Sequence, residues 1–119
     1  MGYELRVERE SALAYAELVR ALSGHSDLEV RGSAEAGEVV ARHGDDGHRV
    51  AEWSGRLVGS PESDWHLAHL ARVAELLGGR LVGEDGEVYG VRDGILEQGD
   101  IEFGKLEDLL YAGPTSWSQ

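Results

Sequence analysis

Two clusters in this sequence hold side chains that chemistry can use. The first is the octet Arg42-His-Gly-Asp-Asp-Gly-His-Arg49, in which Asp45 and Asp46 stand between His43 and His48. Two imidazoles and two carboxylates form a nitrogen–oxygen donor set suited to zinc or nickel, provided all four turn to one side. The same residues also make a chain reversal, because glycine accepts positive φ freely and aspartate bonds its own backbone. A reversal needs nothing outside the octet, whereas a metal needs a buttressing element. The octet is therefore read as a hairpin turn first, with a metal site as the weaker alternative. The second cluster is Asp64, His66 and His69 in "SDWHLAHLA". The two histidines stand three apart and share a helix face one turn apart. The zinc-protease pattern requires a spacing of four with a glutamate between, so this is not it. His66 falls in an apolar stripe near the helix start, and His69 lies at its edge beside Trp65. Asp64 suits a helix N-terminus through the dipole. Histidines at the rim of a core are the expectation, with a catalytic or ligand role as the alternative.

Other signatures are missing. There are no cysteines, which removes disulfides, thiol catalysis and thiolate metal sites. Ser54 in "EWSGR" lacks the glycines of a nucleophile elbow. Gly83, Gly86 and Gly90 in "GEDGEVYG" are not followed by the lysine and hydroxyl of a phosphate loop, and they open no helix. The acid-rich run that contains them does not follow the alternating ligands of a calcium loop. No cofactor is expected.

The elements that would position these clusters can be read from periodicity. Tyr3 to Glu8 alternates apolar and charged residues as a strand does. "SALAYAELVRALSG" reads as a helix capped by Ser11 and ended by Gly24, with His25 just beyond it near its last carbonyls. Strands follow at 28–32, 37–43 and 48–59. Ser60-Pro-Glu leads into a helix over "SDWHLAHLARVAELLGG", stopped by Gly78-Gly79. "RLVGEDGEVYGV" is a strand and turn, with a hairpin around Asp85-Gly86. "GILEQGDIEF" fits strand or loop, and "KLEDLLYAG" is a short closing helix. The order strand, helix, strand, strand, helix, strand matches a ferredoxin-like sandwich: an α+β, two-layer βαββαβ fold with two helices on one face of an antiparallel sheet. The domain is expected to span 1–112, followed by a flexible tail at 113–119 that carries Trp117. One sheet face should be apolar and the other laced with Glu4, Arg6, Glu8, Glu38, Arg42, Glu52 and Arg56. So charged a face argues against an enzyme that takes apolar substrates there.

Charge narrows the function classes. The 119 residues hold 23 carboxylates against 11 basic side chains, a net charge of −12. That field repels phosphate backbones, so nucleic acid is not an expected partner. No run approaches the ~20 apolar residues of a membrane helix, and the first residues lack the apolar run of a secretory leader, so a soluble, cytoplasmic protein is expected. From Leu81 onward, nine carboxylates face only Arg92 and Lys105, a net −7. Glu84, Asp85, Glu87, Asp93, Glu97, Asp100 and Glu102 are thus a candidate surface for a basic protein partner. In charge and size alone the chain resembles small acidic bacterial immunity or antitoxin proteins, which would imply a non-catalytic module blocking a basic nuclease. A small enzyme or metal-binding protein using His66, His69 and Asp64, or His43 and His48, is the alternative. Self-association through strand edges is a third reading.

Overall fold

Leu5 and Val7 face one way and Arg6 and Glu8 the other, and this alternation places β1 (Leu5–Glu8) at the centre of a single sheet. The computed structural model describes residues 3–115. After β1 come α1 (Tyr15–Leu22), β2 (Leu28–Gly32), β3 (Gly37–His43), β4 (Asp46–Trp53) and β5 (Leu57–Gly59). Then follow α2 (Asp64–Leu76), β6 (Arg80–Val82), β7 (Val88–Arg92), β8 (Ile95–Gln98), β9 (Ile101–Lys105) and α3 (Leu106–Ala112). The sheet order is β2-β3-β4-β5-β1-β6-β7-β8-β9, with every neighbouring pair antiparallel. Two meanders therefore flank β1. One is reached through α1 and the other through α2.

The ferredoxin-like sandwich expected from the sequence is overturned, and with it the α+β assignment. Among the described residues nine strands form one antiparallel sheet, accompanied by only three short helices. The run 48–59 is not one strand. Ser54-Gly55-Arg56 reverses it, with Gly55 at φ 88° and the Ser54 N–H on the Arg56 carbonyl at 3.1 Å. Beyond residue 87, two-residue turns at Asp93-Gly94 and Gly99-Asp100 fold short strands into hairpins. Asp93 and Gly94 both have positive φ, as a mirror-image hairpin turn requires. Strands of four or five residues carry too few repeats for periodicity to reveal.

The expected start of α1 also moves. Arg9 donates to the carbonyls of Ser11 and Ala12 and to Glu17, which holds residues 11–13 outside the helix. The cap is Ala14 instead of Ser11, and its N–H meets the Glu17 carboxylate at 3.2 Å.

All three helices share one core with the sheet. Leu18 and Leu22 of α1, the long apolar face of α2, and Leu106, Leu109 and Leu110 of α3 join Leu5, Val39, Ala41, Ala51, Trp53, Leu57, Leu81 and Leu96. Nine strands at about 4.8 Å would span about 38 Å if flat. The longest dimension of the molecule is 34 Å, so the sheet curls around its helices. Bulges opposite Val39–Val40 and Leu96–Glu97 add to the twist. The outer face is charged, as the alternation predicts, and carries the ion pairs Arg6–Glu8, Arg42–Glu29 and Arg49–Glu52. Among the described residues, no helix is long and apolar enough to cross a membrane.

Candidate functional site

The octet is a turn. His43 pairs with Asp46 across the two residues Gly44-Asp45, and Gly44 supplies the positive φ of 64°. Asp45 and Asp46 are exposed. Register places His43 and His48 on the helix-bearing face, where both meet the indole of Trp65. Their ring centroids lie 6.1 and 5.2 Å from it in edge-on geometry, and His69 approaches it at 4.6 Å. Trp65 itself is 2% exposed. The structure thus brings together two clusters that stand some twenty residues apart in sequence. Edge-to-face ring packing, instead of convergent lone pairs, organises them. Among the described residues, no three His, Asp or Glu side chains are arranged to hold a metal ion.

His66 is held differently. β4 carries one extra residue, Val50, because Val39 pairs with Ala51 while Val40 pairs with Arg49. The Val50 carbonyl accepts a hydrogen bond from His66 Nε2 at 2.8 Å, which fixes the proton on that nitrogen. Burial lowers the pKa of His66 below the usual imidazole range, although the Val50 bond and Glu62 act in the opposite sense. Ser63 caps α2, accepting the His66 N–H on its Oγ at 3.0 Å. Asp64 occupies the first turn, where the helix dipole favours a carboxylate.

Beside this bulge the sheet splits. β4 and β5 pair only at Glu52–Val58 and Trp53–Leu57. Towards the hairpin tip they diverge, and the start of α2 fills the base of the gap. The gap opens as a cleft of about 680 Å³ whose walls include His48, Arg49, Glu52, Glu62, Trp65 and His66. Glu4 and Pro114 border it as well. Gly113, buried and at φ 90°, lies against the His43 ring, where a Cβ would collide with Nε2. Nothing in the sequence signalled that the end of α3 returns to the β3–β4 hairpin.

His69 lies deeper, 2% exposed, with Nδ1 lacking any hydrogen-bond partner among the described residues. Burial pushes its pKa down to about 4, and nearby Arg72, His66 and His43 act in the same direction against Asp27. Burial alone would raise Asp27, but the Arg72 guanidinium at 2.6 Å holds it below the ordinary aspartate range. Arg72 also donates to His25 Nδ1 at 3.1 Å. His25 thus meets the Leu22 carbonyl through its backbone N–H, while its ring turns to α2.

The acidic candidates separate into two groups. Glu87 accepts from the Tyr3 hydroxyl at 2.5 Å and from Tyr89 at 3.1 Å, and these bonds hold its carboxyl below the usual range. Burial and Glu87 together push Tyr89 up to about 12. Glu84 accepts the Glu4 N–H, the Asp85 N–H donates to the Tyr3 hydroxyl, and Glu97 pairs with Arg92 at 3.1 Å. Asp93, Asp100 and Glu102 are exposed at turns and along β9. Glu107 and Asp108, in the first turn of α3, extend the same surface. Trp117, in the expected tail, lies outside the described residues. No family model, curated protein or solved structure matches this chain.

Proposed function

We propose that this is a non-catalytic protein-binding module that engages a basic partner, in the manner of an immunity or antitoxin protein of the bacterial cytoplasm. The observation that carries the reading is charge segregation. Nine carboxylates and three cations, Arg80, Arg92 and Lys105, fall within the half of the sheet formed by β6–β9 together with α3. The same half exposes Ile101 on β9 at 55% and Tyr111 on α3 at 88%. An aromatic and an aliphatic anchor within a field of one sign fit a protein interface, where apolar contact supplies affinity and charge supplies steering. The field also argues against nucleic acid and anionic membranes as partners.

The test pairs a captured host protein with the double variant D100K/E102K. Affinity should fall by about tenfold on charge reversal, and by a similar factor between low and physiological salt. A partner indifferent to both would overturn the reading. One observation favours chemistry instead: His66, its tautomer fixed by Val50, lines a polar cleft. Ser63, the nearest hydroxyl to it in sequence, is committed to the helix cap and is no ready nucleophile.

A further inference from the structure

The phase of the β3–β4 ladder shows what the cleft offers. Arg42 donates its backbone N–H to the Asp27 carbonyl at 2.8 Å, away from β4. Arg42 and its partner Gly47 are therefore a pair that exchanges no bonds, and such residues point their peptide groups away from each other's strands. Gly47, and Arg49 two residues on, thus aim N–H and C=O away from β3. β5 does not meet them, since its pairing with β4 ends at Glu52–Val58. At Val50 the gap is closed, because the carbonyl binds His66 and Gly59 approaches so closely that a Cβ there would stand 2.5 Å from its oxygen. A short strand edge at Gly47–Arg49 is left facing the cleft.

The border of that cleft is acidic. Glu4, Glu52 and Glu62 line it against a single cation, Arg49, which already pairs with Glu52 at 3.4 Å. Glu4 and Glu62 have no ion-pair partner among the described residues. The outer edge at β9 differs: it is bulged and carries Glu102 and Lys105, devices that discourage strand addition.

We propose that this inner edge of β4 is a docking slot for a short extended segment of a basic protein partner. The segment adds as a strand, exchanging main-chain hydrogen bonds with Gly47 and Arg49, while one of its Lys or Arg side chains reaches Glu62 or Glu4. Two strand positions span about 7 Å, so three or four residues of the segment are engaged. The slot rests on the binding-module reading for the sign of the partner's charge. Its location is independent of the β9–α3 surface.

The probe is the peptide acetyl-Thr-Lys-Val-Lys-Thr-amide added to the full chain, followed by amide NMR and hydrogen exchange. The Gly47 and Arg49 amides should shift on titration, and their exchange should slow by about tenfold at saturation. E62K or E4K, both at exposed positions, should weaken binding by about tenfold, and D100K/E102K should leave it unchanged. A version of the peptide N-methylated on its pairing edge, or with Glu replacing Lys, should not bind. Binding without protection at 47 and 49, or equal binding of the N-methylated peptide, would overturn the slot. So would shifts at those amides that follow protein concentration without peptide, since the occupant would then be a second copy. No binding at about 1 mM also refutes the slot, yet leaves partner capture at the β9–α3 surface to stand or fall separately.

Discussion

The imidazole of His69 is kept neutral by its position between α2 and the β-hairpin. Its folded pKa of about 4 lies below the ordinary imidazole value of 6.5. The unfolded chain therefore binds a proton more readily between those values, and stability depends on pH. The contribution is complete above about pH 6.5 and is lost as pH falls towards 4, with a ceiling on the order of 3 kcal/mol. Asp27 opposes the loss by favouring the charged ring, whereas Arg72, His66 and His43 reinforce it. Substituting H69L removes both the titration and the orphaned Nδ1. Urea midpoints at pH 7 and pH 4.5 should differ less for H69L than for the wild type. Equal differences would place the acid sensitivity elsewhere. Read from sequence, His69 was a residue at the edge of the stripe. Its full burial depends on Trp65 and the distant hairpin, which no local spacing encodes.

At the scale of elements, the split between β4 and β5 depends on close approach at one glycine. A Cβ at Gly59 would stand 2.5 Å from the Val50 carbonyl oxygen and 2.8 Å from Leu70 Cδ2. G59A should therefore cost about 2–3 kcal/mol through overpacking. Gly55, in the turn joining the same strands, has open space around it and only a left-handed φ of 88° to lose. G55A should cost about 1 kcal/mol, from backbone strain alone. Thermal unfolding of the two variants separates clash from strain, and a reversed order would mean that the β5 end yields easily. S63A, which removes the cap of α2, should also cost about 1 kcal/mol. These elements were unequally legible. The alternation of Leu5 to Glu8 and the broad apolar face of α2 announce themselves, and the end of α3 at Gly113 follows from its glycine. Ser54-Gly55-Arg56 lay hidden inside an apparently continuous strand. The bulge at Val50, which aims a carbonyl at His66, leaves no mark on periodicity.

Across the whole molecule, the two meanders carry different electrostatic loads. The β2–β5 side offsets its carboxylates with Arg31, Arg42 and Arg49. On the other side, Asp93, Asp100, Glu102, Glu107 and Asp108 have only Arg92 and Lys105 nearby in sequence, and Arg92 is already paired with Glu97. The lopsidedness was visible in the sequence, but the pairing of Glu84, Glu87 and Glu97 within the fold was not, because their partners Glu4, Tyr3 and Arg92 are set by strand order. Repulsion among exposed like charges destabilises the compact state and is relieved by salt. D100K/E102K should thus raise stability by a few tenths of a kcal/mol up to about 1 kcal/mol. Adding salt should stabilise the wild type more than this variant. If the acidic surface exists for a partner, the same substitutions that steady the isolated chain should weaken recognition about tenfold, a trade between stability and function. Denaturant midpoints of both proteins at low and high salt decide the first half. A variant less stable than the wild type at low salt would show that these carboxylates hold the fold together, and the argument for a binding surface on β9 and α3 would lose its foundation.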